Sequence, residues 1–147
     1  MFSKEKDYFR DDLLEYTGSR QPQTGIIYGD KQPKVIICTS GGRHAEEAGY
    51  NDKEFIDGSW LYYGQGEEGD QDPTKLPNAL LLERDILLFT TTEPTSEQVR
   101  LQGNYKKKYK YIGMFRVRSW GFFMPQIGHR MGNKLLQYDL FPDIPNP

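Results

Sequence analysis

Apolar residues in this chain fall in short, separated bursts, and their spacing predicts strands more often than helices. Residues 34–39 (KVIICT) and 86–92 (ILLFTTT) are continuous apolar runs of strand length, the pattern of strands buried on both faces. Residues 60–63 (WLYY) predict a shorter strand. From 105 to 120, basic residues alternate with aromatic or apolar ones, which predicts one long strand that Phe122 and Phe123 extend. Residues 128–133 predict a hairpin turn and 135–141 a closing strand. Helical spacing is confined to residues 7–16, where Phe9, Leu13 and Tyr16 share one side and Gly18 lies just beyond, and to residues 76–82, with Pro77 in the first turn. Polar, turn-rich loops separate these elements at 18–25, 40–58 and 64–75, and residues 93–104 read as a connection.

Many strands with one or two helices at the rim predict a curved mixed sheet or open barrel of the α+β or mainly-β class. At 147 residues the chain fits one domain, read as 1–141, followed by a proline-rich tail or linker start at 142–147. Neither repeats nor low-complexity segments interrupt it. Aromatic residues make up 14% of the chain and must supply much of its core.

Charge changes the picture more than composition does. The net charge is −2, yet residues 100–138 hold nine Lys and Arg and no Asp or Glu, so this segment carries +9 and the remainder −11. Segregation of this kind makes either a lysine-guarded strand edge or a phosphate-binding face on an acidic protein. Cys38 is the only cysteine, which rules out an intrachain disulfide and fits a reducing compartment. With no signal-like segment and no apolar run near the ~20 residues of a membrane span, a cytoplasmic protein without a membrane partner is expected.

The usual catalytic arrangements are missing from the pattern. Cys38, His44 and His129 lack the spacing of a zinc site, so neither metal nor cofactor is expected. Neither histidine accompanies a Gly-x-Ser-x-Gly elbow, and the acid pairs Glu46/Glu47 and Glu67/Glu68 read as solvated loop charges. GQGEEG (64–69) lacks the strand–loop–helix setting of a dinucleotide fingerprint and would turn two acids toward the phosphates.

One constellation does suggest chemistry. Gly49, Tyr50, Asn51 and Asp52 precede the strand carrying Trp60, Tyr62 and Tyr63. Aromatic faces beside a carboxylate and an amide suit a planar, hydrogen-bonding ring, and a flipped-out nucleobase is such a ring. Alternation puts Trp60 and Tyr62 on one face and Leu61 and Tyr63 on the other, so one tyrosine is core and the other faces a pocket.

These segments, in order, resemble the SRA (SET- and RING-associated, or YDG) domain, most closely the bacterial type found in modification-dependent restriction endonucleases and often joined to an HNH nuclease. GSRQPQTGI (18–26) is similar to an early loop of that family, and VIICTSGG (35–42) to the strand entering its first pocket loop. GYNDKEFIDGSWLYYGQGEEGDQ (49–71) resembles its G-Y-x-D and D-G-x-F-x-Y-x-G-x-G run, LPNALLLE (76–83) its asparagine-led helix, and YKYIGMFRV (109–117) the strand that carries the YDG name. Three features depart from the pattern: Ile112 stands for the aspartate of YDG, Gly64 for the threonine of the eukaryotic pattern, and the 42–50 loop contains the acidic pair Glu46 and Glu47.

The resemblance implies a twisted, crescent-shaped, PUA-like β-barrel with a few short helices. It also implies a non-catalytic reader that binds duplex DNA and flips a 5-modified cytosine into an aromatic pocket. Tyr50 and Tyr63 would be the stacking rings, and Asp52 would accept from the exocyclic amine. Thr39, Ser40, Gly41, Gly42, Asn51, Trp60 and Tyr62 would complete the pocket. Arg43 and His44 would enter the space the base leaves. Arg20, Gln21, Gln23, Gln65, Lys106, Lys107, Lys108, Arg116 and Arg118 would contact the DNA. The expected partners are double-stranded DNA with 5-methylcytosine, 5-hydroxymethylcytosine or a glucosylated base, and a nuclease domain of the full-length protein. Two rival readings remain: a nuclease or base-excising enzyme with an unfamiliar site, and a small-ligand or protein-interaction module on a similar barrel.

Overall fold

The computed structural model describes residues 2–20, 25–39, 52–66 and 69–143. The elements in chain order are β1 (Asp7–Tyr8), α1 (Arg10–Thr17), β2 (Ile26–Ile27), β3 (Val35–Thr39), β4 (Lys53–Glu54), β5 (Trp60–Tyr63), a 3-10 helix (Asn78–Leu82), β6 (Ile86–Thr92), α2 (Ser96–Gln102), β7 (Lys108–Phe123) and β8 (Leu135–Pro142). Eight strands form one mixed sheet in the order β2-β3-β6-β7-β8-β5-β4, with β1 added beside β7. Among the described strands only β3 and β6 run parallel. Among the described residues the sheet is an open path rather than a closed barrel.

The long strand β7 is the spine, because its two halves serve different partners. Its first half pairs with β6 from Thr92↔Lys108 to Ile86↔Phe115, and its second half pairs with β8 from Phe115↔Pro142 to Phe123↔Leu135. Each ladder is broken once by a bulge, which bends and twists a strand. The first bulge leaves Ile112 as the extra residue between Tyr111 and Gly113, and its side chain packs against the main core. The position where the YDG pattern has an aspartate is thus an apolar bulge residue here.

Period-two alternation divides the apolar residues between two cores. Val35, Ile37, Ile86 and Leu88 join Trp60, Tyr62, Leu136, Tyr138 and Leu140 inside the curl of the sheet. Ile36, Leu87 and Phe89 point the other way, where they cluster with Tyr109 and Tyr111 of β7 and with Leu13 of α1. The double-sided burial expected of β3 and β6 is therefore present, and each face has its own cover.

Several boundaries differ from the sequence expectation. The first helix begins at Arg10 because Phe9 is its cap, its N–H bonded to Asp12 Oδ2 at 2.8 Å, and Asp7 and Tyr8 join the sheet. Phe9 is consequently exposed rather than part of the buried face, which Leu13 and Thr17 supply. The long strand starts at Lys108, and the connection before it contains α2, capped by Thr95 and Gln98 in a reciprocal pair of hydrogen bonds. That helix buries no residue, so no apolar stripe announced it. The 76–82 segment forms a 3-10 helix, and the short strands β2 and β4 carry too few residues to show a period. At the C-terminal end, β8 runs to Pro142 and Asp143 N–H donates to Met114 O at 2.9 Å.

Candidate functional site

The site is built around the carboxylate of Asp52. Its Oδ2 accepts from Thr39 Oγ1 at 2.6 Å, and its Oδ1 accepts from the backbone N–H of Tyr63 at 3.0 Å. Thr39 ends β3 and Tyr63 ends β5, two strands that no ladder joins among the described residues. A single carboxylate therefore ties together the two limbs of the curled sheet. A second approach lies beside it: a side chain added at Gly25, next to β2, would come within 2.9 Å of Gln65 Nε2 and 3.3 Å of Tyr62 Oη. Burial raises the Asp52 carboxyl above its ordinary value, and the Thr39 hydroxyl and Tyr63 N–H oppose that rise. A carboxylate offers about four lone-pair positions, so an ionised Asp52 keeps acceptor capacity beyond these two bonds.

The tyrosine ambiguity resolves by face. Trp60 and Tyr62 both lie in the main core, across the ladder from Leu140 and Tyr138. Tyr62 Oη accepts from Gln65 Nε2 at 2.9 Å, and burial with the nearby Asp52 charge pushes its phenol well above the ordinary range. Tyr63 occupies the opposite face. Its ring meets Phe123 edge-on at 5.7 Å and its Oη accepts from Gln137 Nε2 at 3.0 Å. All three rings are buried; Trp60 and Tyr62 belong to the main core, and Tyr63 lies outside it on the other face of β5.

The glycine-rich loop after β5 is latched, which its polar sequence does not suggest. Asn78 accepts from Gln65 N–H at 2.7 Å and donates to Gln65 O at 2.8 Å. Gln71 donates to Gly64 O at 2.8 Å and accepts from Leu136 N–H at 2.7 Å. Gly64 is forced by this closeness: a Cβ there would lie 2.9 Å from Asn78 Oδ1 and 3.1 Å from Leu136 Cβ. That accounts for the glycine where the related pattern has threonine. Asn78, Gln71, Gln137 and Phe123 were not among the expected site residues. Asn78 alone had a signal, as the leading asparagine of its helix.

Of the other expected residues, Ser40, Gly41, Gly42, Arg43, His44, Tyr50, Asn51, Gln21 and Gln23 lie outside the described residues. Gln65 spends its side-chain amide on Tyr62. Arg20, Lys106 and Lys107 are exposed and Lys108 is half-buried. The basic segment is less free than its count of charges implies. Arg116 pairs with Asp85 at 3.0 Å, Arg118 with Asp139 at 2.8 Å and Lys107 with Glu93 at 4.0 Å. Arg130 is buried and donates to Gly69 O. Lys106 lies over the Phe9 ring and Lys134 over that of Phe122. Burial pushes the Cys38 thiol up to about 12, so it stays protonated and packs rather than reacts. Among the described residues, no group of three His, Cys, Asp or Glu is placed to hold a metal ion, and no helix is long and apolar enough to cross a membrane.

No protein-family model matches the chain, and no curated protein matches it. Solved structures do. The SRA domain of SUVH5 in complex with methylated CHH DNA aligns with 95% of this chain and 87% of its own, at 21% identity and a TM-score of 0.60. The same domain bound to fully hydroxymethylated CG DNA aligns over the same shares at 20% identity and a TM-score of 0.60. The modification-dependent restriction endonuclease TagI aligns with 94% of this chain at 19% identity and a TM-score of 0.58, and the chain spans about half of it, 48%. At these identities the likeness is one of architecture, and it shows that the chain has the SRA fold.

Proposed function

We propose that the chain is a reader of 5-modified cytosine in duplex DNA, which takes the flipped base between aromatic rings beside Asp52. The observation that carries this reading is the half-buried Asp52 carboxylate, fixed by Thr39 and the Tyr63 N–H within an SRA fold. Its remaining acceptor capacity matches the exocyclic amine of cytosine, which thymine lacks. Tyr63 supplies one stacking face, and Tyr50 is assigned the other. Neighbours solved with methylated and hydroxymethylated DNA support the choice of ligand, and TagI supports a place in modification-dependent restriction. Cleavage is assigned to a nuclease domain of the full-length protein.

The energetics agree. Flipping costs a few kcal/mol of unpairing and unstacking, and each base–aromatic stack returns roughly 1–3 kcal/mol. Phosphate contacts from the basic segment add a term that is independent of sequence.

The test is binding, at one salt concentration, to four matched duplexes carrying cytosine, 5-methylcytosine, 5-hydroxymethylcytosine or its glucosylated form. The expected result is a preference for one modified duplex that vanishes in Tyr63→Ala. Equal, salt-sensitive affinity for all four would reduce the protein to a basic DNA-contacting surface.

A further inference from the structure

Tyr63 is held from two sides by residues outside the expected pocket. Gln137 of β8 stands directly across the ladder from it and donates from Nε2 to its Oη at 3.0 Å. Phe123 of β7 meets its ring with centroids 5.7 Å apart and planes at 62°. The next position across the sheet from Gln137 is Gly121, where an added Cβ would find nothing within 4 Å. No side chain at that position crowds the Gln137 amide.

We propose that Gln137 is a positioning residue for the stacking ring, acting through the phenol oxygen of Tyr63 to set selectivity for the modified base. The proposal rests on the reading of Tyr63 as a stacking ring. A tyrosine is anchored to the chain at Cβ, and a bond to Oη fixes the far end of the same axis. The ring can then only spin about that axis, and the edge of Phe123 opposes the spin. A ring held in this way before the base arrives loses less freedom on binding, which favours the complex without any new contact to DNA. Gln137 suits the task because it is uncharged and half-buried, in a strand whose neighbours Leu136 and Tyr138 are committed to the core.

A double-mutant cycle on the full chain tests it, with the preferred modified duplex and its unmodified counterpart as probes. Gln137→Leu is expected to lower the ratio of the two affinities roughly three- to tenfold, the size of one lost neutral hydrogen bond. Affinity for unmodified DNA should fall less than affinity for the modified duplex. Gln137→Glu, whose carboxylate accepts from the phenol O–H, should restore the ratio. In a Tyr63→Phe background Gln137→Leu should have no further effect, because the atom it acts through is gone. An equal loss in both backgrounds, or unchanged selectivity in Gln137→Leu, overturns the proposal. Full selectivity in Tyr63→Ala overturns the underlying reading of Tyr63 instead, so the two failures are distinguishable.

Discussion

Asp52 joins two demands that pull its proton in opposite directions. Burial makes the folded chain bind that proton more tightly than the unfolded chain does. Through this group alone, stability therefore falls as pH rises from the ordinary aspartate value through the raised one, and is level above it. Recognition of the cytosine amine needs the ionised form, so affinity for the modified duplex should rise with pH through the same window. Urea midpoints from about pH 4 upward, where an ordinary aspartate is half ionised, should show the wild type losing stability relative to Asp52→Asn as pH rises. Binding over the same range should show the wild type gaining affinity for the modified duplex and the variant remaining flat. A parallel pH response of the two proteins in both assays would mean that Asp52 has no special titration. Thr39→Val removes one of the two bonds that oppose the rise and should move the window to higher pH.

At the scale of elements, two side-chain amides, those of Gln71 and Asn78, hold Gly64, Gln65 and Gly66 after β5. Gln71 is buried and spans Gly64 O, Gly66 O and Leu136 N–H. Replacing it with Ala strands those groups, and a buried unpaired polar group costs about 1–3 kcal/mol. Gln71→Ala is expected to lower unfolding free energy by about 2–4 kcal/mol, read as a reduced urea midpoint at unchanged slope. A loss below ~0.5 kcal/mol would place the latch elsewhere. The helices show the same division of labour. Thr95 and Gln98 cap α2 at the surface, and α1 contributes Leu13 to the second core.

For the whole molecule, the segregated charge is the property most open to measurement. Lys106 and Lys108 have no ion pair among the described residues, whereas Arg116 and Arg118 are committed to Asp85 and Asp139. The slope of log affinity against log salt falls by roughly 0.9 for each phosphate contact removed. The double change Lys106→Gln and Lys108→Gln should therefore reduce the slope by up to about 2. Arg116→Gln with Arg118→Gln should change it less, because those charges are already answered within the protein. The reverse ranking would move the DNA path from the start of β7 to its second half.

The sequence by itself determined what local chemistry determines. Continuous apolar runs marked β3 and β6, and alternation marked the long β7. Alternation also separated Tyr62 from Tyr63, because a strand must place neighbouring side chains on opposite faces. The order of the loop, strand and helix segments pointed to the SRA fold, and the cluster ending at Asp52 pointed to the site. Only the tertiary structure decided the rest. It placed Tyr62 in the main core and Tyr63 against Phe123 and Gln137, because that depends on which residues of β7 and β8 share each face. It brought Thr39, Asp52 and Tyr63 together, because the curl of the sheet sets two unpaired strands side by side. It recruited Asn78, Gln71 and Gln137, polar residues whose partners lie on other elements or loops and leave no periodic trace. It also spent much of the basic segment on Asp85, Asp139 and Glu93, since a count of charges does not record distance. Periodicity reports the faces of an element, and only packing reports what each face meets.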